Sequence, residues 1–371
     1  MLEQLTGHED PHPIYERLRA HGPLTRDGGI WVTTSHPLAN RILRDRRFGV
    51  HPADGAHASG GSLLPESFLE QDPPDHTRLR RLATPAFSPK KIDEYRARVE
   101  KVADALLAGR DEFDLIADFA APLPISVISD LLGIPDEDTA EFADYGALVA
   151  ASFDSGVTPE MAQANDKVLA LFDRLISQRR KTPGDDVISS LVAAEAERRL
   201  TPREMLGTLV LLLVAGFETT VNLIGNGVRA LLDHPAQWTL FQANPGLAPA
   251  VVEETLRWAS PVQLTSRIAH ERVDEIGADE WVTVLIGAAN RDPQVYPEPH
   301  RFDVMRVHKP EHLAFSSGIH YCLGATLARM EGDVALRALA RHLPRLRQAG
   351  PAAFRDSVVI RGMRSFPVSR S

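Results

Sequence analysis

Phe315-Ser-Ser-Gly318-Ile-His320-Tyr-Cys322-Leu-Gly324-Ala325 is the stretch on which the fold of this 371-residue chain turns, and Cys322 within it is the only cysteine. A single thiol cannot close an internal disulfide, and a free cysteine ordinarily behaves as a small buried hydrophobe. The neighbours point elsewhere. Gly318 and Gly324 permit tight turns around the sulfur, and an amphipathic pattern at Leu323, Leu327, Met330 and Val334 starts a helix directly after it. The sulfur is therefore expected at a helix N-terminus. Free amides and the positive end of the helix dipole favour a thiolate there, the form that ligates iron.

The run Phe-x-x-Gly-x-His-x-Cys-x-Gly resembles the haem-binding loop of the cytochrome P450 superfamily. The resemblance implies haem b with Cys322 as axial ligand to iron, and Phe315, Gly318, His320 and Gly324 around it. It also implies a mainly α fold with small β-sheets, in which a long central helix lies over the haem and the cysteine loop precedes a C-terminal helix.

Working outward, Thr201-Pro-Arg-Glu204 reads as a capping box with proline at the first helical position, and the pattern continues to His234-Pro235. That predicts a helix of roughly 30 residues, about 45 Å long. It contains Ala215-Gly216-Phe217-Glu218-Thr219-Thr220, which is similar to the family's oxygen-activation motif. Small Ala215 and Gly216 leave space beside an iron-bound ligand, and a threonine hydroxyl bonded to the carbonyl four residues earlier opens or bends a helix. By resemblance Thr219 holds a hydrogen-bond network over bound dioxygen and Glu218 relays protons from solvent. An acid after a long aliphatic run needs a partner or water in any case.

Glu254-Thr-Leu-Arg257 sets an acid and a base on one helical face. The resemblance adds Arg301 as third member of a buried charge triad that locks the region presenting the cysteine loop. Asp72-Pro-Pro-Asp75-His76-Thr-Arg-Leu-Arg80 reads as a proline-initiated helix with His76 and Arg80 one turn apart. Haem carries two propionates, and buried carboxylates require cations. By resemblance these are His76, Arg80, Arg267 and His320. Ala289-Asn-Arg-Asp-Pro293 matches a family segment that supports the fold.

The net charge of −9 argues against nucleic acid as a partner. The N-terminal segment has no positively charged region followed by an apolar one, so neither a signal peptide nor a membrane anchor is expected, and the protein reads as cytoplasmic. The apolar stretch 209–215 falls short of the roughly 20 residues that span a bilayer. Further helices are expected over 11–21, 37–44, 73–86, 90–108, 121–132, 138–152, 160–180, 186–197, 236–242, 247–259 and 323–342, and strands near 24–25, 30–33, 267–268, 281–285, 358–360 and 366–368. Residues 1–371 are read as one domain, with a small β-rich part near 24–33, 267–285 and 358–368.

The function expected is that of a haem-thiolate monooxygenase inserting one atom of O2 into a lipophilic small molecule, a specialised metabolite such as a polyketide, macrolide or terpenoid. Leu212, Ala215, Val262, Leu264 and Met363 resemble pocket-lining positions, and segments 53–62 and 153–159 read as lids. With one cysteine there is no iron–sulfur centre, so the resemblance implies a separate ferredoxin and ferredoxin reductase, for which Arg78, Arg81 and Arg329 offer a docking patch. A peroxide-using or rearranging haem-thiolate enzyme and a non-enzymatic haem sensor stay open alternatives.

Overall fold

The computed structural model describes residues 9–52, 66–155 and 157–370, together with Leu5 and Leu63; the 53–62 lid and part of the 153–159 lid lie outside them. Its centre is the 32-residue helix Pro202–Asp233. Thr201 Oγ1 accepts from the Glu204 amide at 3.2 Å and the Glu204 carboxylate accepts from the Thr201 amide at 2.7 Å, so the capping box forms as its sequence requires. The helix stops ahead of Pro235, whose ring and missing N–H cannot continue it. By length and composition this helix is apolar enough to cross a membrane, yet 83% of its apolar window is buried inside the protein. The reading that ended its apolar run at residue 215 understated it, because aliphatic side chains resume at Val221 beyond Glu218-Thr219-Thr220.

The helices Pro122–Leu132, Asp136–Ser155, Ala248–Trp258 and Ala325–His342 pack against the long helix, and one hydrophobic cluster runs from Phe68 to Val368. The other expected helices begin and end within about three residues of where caps and apolar period place them, and the short helix Ile286–Ala289 was not among those expected. One expected helix divides: 73–86 becomes Asp75–Ala83 followed by a 3-10 turn at Thr84–Phe87, since Pro85 has no amide to donate.

Ten strands occur among the described residues: β1 Leu24–Asp27, β2 Ile30–Thr33, β3 Phe48–Gly49, β4 Glu112–Asp114, β5 Leu264–Ala269, β6 Trp281–Leu285, β7 Arg347–Gln348, β8 Ala353–Phe354, β9 Met363–Ser365 and β10 Pro367–Ser369. The largest sheet has the order β1-β2-β6-β5-β3, with β2 and β6 parallel and the other pairs antiparallel. Arg267 stands opposite Val282 in this sheet. The segment expected as a strand at 358–360 forms only an isolated bridge, Val262 to Ile360; the hairpin beside it is β8–β9.

Candidate active site

The loop around Cys322 is closed by its own backbone. The Cys322 amide donates to the Phe315 carbonyl at 2.9 Å. Gly318 has φ +71°, and a Cβ there would stand 2.2 Å from the Leu43 carbonyl oxygen, so only glycine suits this turn. Ser316 also has a left-handed φ of 61°, a strained position the sequence does not signal. Gly324 differs: its backbone is ordinary, φ −85°, and the nearest side chain to a Cβ placed there would be Phe87 at 3.9 Å. The C-terminal helix begins only at Ala325. Burial pushes the Cys322 thiol up, against the Gly324 amide and the charges of Arg80 and Arg329, which favour the thiolate. Cys322 is nevertheless exposed toward the space beside the loop, and a coordinating metal would deprotonate its thiol outright.

Opposite the loop, the helix Asp75–Ala83 supplies His76 and Arg80, and β5 supplies Arg267. The His76 and His320 ring centroids are 4.4 Å apart. Both ring nitrogens of His76 and Nε2 of His320 are buried without a hydrogen-bond partner. Arg80 donates to the Tyr321 carbonyl at 2.6 Å, and Arg267 donates to Thr265 Oγ1 at 3.1 Å and the Ser266 carbonyl at 2.8 Å. Burial drives Arg267 down to about 10 and, together with the charges of Arg267, His76 and Arg80, drives His320 down to about 3. The nearby acid, Asp72, accepts instead from the amides of Val50 and His51 at 2.9 and 3.3 Å.

Among the described residues no carboxylate forms an ion pair with any of these four groups. Arg80 and Arg267 carry charge without a carboxylate partner, and the two histidines keep buried ring nitrogens without a partner, so the cluster offers cations and spare donors to an anionic group. One thiol facing such a group fits a haem, which brings its iron in a porphyrin and needs cations for two propionates. No group of three or more His, Cys, Asp or Glu that could hold a bare metal ion occurs among the described residues.

On the long helix, Ala215, Gly216 and Thr219 are partly exposed within an otherwise buried stretch, so this turn borders open space. Thr219 Oγ1 donates to the Ala215 carbonyl at 3.1 Å, the back-bond expected, although the helix remains unbroken. Gly216 is consumed by packing: a Cβ would lie 2.7 Å from Ile128 Cδ1, so its smallness admits the neighbouring helix. Glu218 is 2% exposed and is ion-paired with Arg355 Nη1 at 2.5 Å, while Asn222 Nδ2 donates to it at 3.4 Å. Arg355, just after β8, escapes sequence reasoning; the demand of a buried acid for a partner was the only signal.

The charge triad needs a correction. Arg257 donates to both Glu254 oxygens at 2.8 Å, and both side chains are fully buried. Arg301, however, points outward, 55% exposed, toward Glu298 and Asp303, and contributes only its carbonyl to Arg257 at 3.0 Å. The third member is Arg306, 10% exposed, at 3.3 Å from Glu254 Oε1, with His308 at 3.7 Å from Oε2. Asn290, from the 289–293 segment, accepts from the Leu313 amide at 2.7 Å and so ties this region to the root of the cysteine loop.

Of the pocket positions, Val262 and Leu264 are partly exposed, whereas Leu212 and Met363 are buried at 6% and 1%. Met363 Cε lies 3.3 Å from the position of a Cβ on Gly225, ten residues along from Ala215 and thus about 15 Å away along the helix. It belongs to the core. The docking arginines also separate: Arg81 is exposed, Arg78 is bound to Glu204 at 2.5 Å and Asp75 at 2.7 Å, and Arg329 is bound to Glu253 at 2.6 Å.

A family model described as Cytochrome P450 matches residues 243–344. The chain is 40% identical to the cytochrome P450 monooxygenase PikC of Streptomyces venezuelae, covering 97% of this chain and 91% of PikC. It is 38% identical to nocardicin C N-oxygenase of Nocardia uniformis subsp. tsuyamanensis, covering 97% and 96%. The solved structure of PksS, the cytochrome P450 of the bacillaene polyketide synthase of Bacillus subtilis 168, superposes with a TM-score of 0.90 at 35% identity, covering 98% of this chain and 97% of that one.

Proposed function

This chain belongs to the cytochrome P450 family, oxygen-incorporating oxidoreductases that carry haem b, and we propose that within it Cys322 supplies the axial thiolate while His76, Arg80, Arg267 and His320 receive the two propionates. The observation that carries this reading is the group of two arginines without carboxylate partners and two histidines with buried, unpartnered ring nitrogens, set against the loop that holds the single thiol. When bound, haem supplies reductive activation of dioxygen, delivering one oxygen atom to the substrate and the other to water with two electrons and two protons.

The chain's own residues do the rest. Phe315 and Gly318 hold the loop in register through the Cys322 amide bond and the close approach to Leu43. Ala215 and Gly216 border the cofactor, with the bulk of position 216 limited by Ile128. Thr219 presents a hydroxyl already anchored on the Ala215 carbonyl, and Glu218, held by Arg355, is the acid through which protons enter. Glu254, Arg257 and Arg306 fix the segment leading to the loop.

A monooxygenase of specialised metabolism accords with the relatives named above. The substrate class proposed is a lipophilic metabolite of polyketide or similar origin, for which Val262 and Leu264 offer apolar lining. Electrons are proposed to come from a ferredoxin and its reductase, since a chain with one cysteine holds no iron–sulfur centre of its own. Residues 1–371 are proposed to act as one domain.

The test is the absorption spectrum of the reduced, carbon monoxide-bound protein. A strongly red-shifted band in the parent, lost in Cys322→Ala, is expected; a parent spectrum of the histidine-ligated kind, or an unaltered band in the variant, overturns the assignment.

A further inference from the structure

Adjacent acids on the helix Ala248–Trp258 serve two different segments. Glu254 faces Arg257 and Arg306, whereas Glu253 reaches the cysteine loop through other partners. Arg329, one helical turn into the C-terminal helix, donates to both oxygens of Glu253, Nε at 2.6 Å and Nη2 at 3.1 Å, and His312 Nε2 lies 3.2 Å from the same carboxylate. His312 Nδ1 accepts from the Ala314 amide at 3.3 Å, which leaves the proton on Nε2 for Glu253.

The guanidinium is occupied on its other sides as well. Its carbon stands 4.5 Å over the Phe315 ring, and Nη1 donates to the Tyr321 hydroxyl at 3.2 Å. Phe315 and Tyr321 are the two aromatic walls of the loop, 6.3 Å apart between centroids, and the Phe315 carbonyl receives the Cys322 amide. Arg329 is thus committed to the loop and is not a free docking cation. Through Tyr321 the guanidinium stands against the residue that precedes Cys322.

We propose that Glu253 and Arg329 are positioning residues for Cys322: the pair clamps both walls of the loop, and the balance of its two charges sets the electron affinity of the iron the sulfur would hold. This rests on Cys322 being the haem ligand. A cation near the thiolate favours the reduced state, and an anion beside that cation offsets it; both side chains are about two-thirds buried, so solvent screens them incompletely.

The test uses haem-loaded protein and reads the ferric/ferrous midpoint potential together with the carbon monoxide band. Arg329→Gln is expected to lower the potential and Glu253→Gln to raise it, while Arg329→Lys, which keeps the charge and loses the two-pronged bond, leaves the potential near the parent value and releases haem several-fold faster. Opposite signs are the signature, because mere loosening would move both glutamine variants the same way. Shifts of equal sign, or no shift in Glu253→Gln, overturn the proposal; should Arg329→Gln fail to retain haem, the Glu253→Gln and Arg329→Lys results decide it. A parent lacking the red-shifted band would refute the ligand assignment itself, whereas an intact band with unsplit potentials refutes only this inference.

Discussion

Two arginines five positions apart show what a sequence motif transmits at the scale of one residue and what it does not. Glu254 and Arg257 are separated by one helical turn, a spacing that fixes their mutual position, and they pair as read. The third cation comes from the irregular segment around 297–308, where no period dictates which side chain turns inward. Resemblance points to Arg301, and the folded segment turns Arg306 inward instead. Removing one partner from a buried charge group costs about 3 kcal/mol or more, and removing a surface charge costs within about 0.5 kcal/mol. Arg306→Ala is therefore expected to lower the denaturation midpoint strongly and Arg301→Ala hardly at all; equal losses would return the triad to Arg301. The tight turn at Gly318 before Cys322 was legible in the loop's own residues, whereas His76, Arg80, Arg267 and His320 were named by resemblance, and the fold brings the His76 and His320 rings within 4.4 Å. Arg355 and Glu253 were not legible, since each acts through a contact between segments far apart in sequence.

Among elements, those with many repeats of one period are legible and those with two or three residues are not. The long helix carries a capping box, eight turns of apolar pattern and a terminating proline, and its ends fall where these place them. Strands β3, β7 and β8 contain two residues each and offer no alternation to detect, so the hairpin β8–β9 went unread although it delivers Arg355 to Glu218. This junction of hairpin and helix is open to a double-mutant cycle. In denaturant unfolding, Glu218→Gln and Arg355→Gln are each expected to destabilise, and the double variant to lose less than their sum by about 1 kcal/mol or more. Strict additivity would show that the two elements are held together by other contacts.

For the whole molecule, titratable groups whose pKa the fold holds down make stability fall with acid. His12 is held well below its usual 6.5, first by burial and then by Arg291 and Arg361. A base with a lowered folded pKa binds its proton more readily when unfolded, so its contribution is complete above pH 6.5 and declines as pH falls below that value. Glu253 adds a second, lower window: burial alone would raise its carboxyl, but hydrogen bonds from His312 and Arg329 outweigh it and hold it at about 2. Its contribution is present above 4.5 and fades as pH drops toward 2. Tm is expected to decline in two stages on acidification, with His12→Gln flattening the upper stage; a profile unchanged by that substitution would remove His12 from the account. The same tightness bears on how such a catalyst can diversify. With the tip of the Ile128 side chain 2.7 Å from where a Cβ on Gly216 would stand, even a methyl at this one position must displace a side chain of the adjoining helix, whereas Ala215 beside it stands clear of that contact.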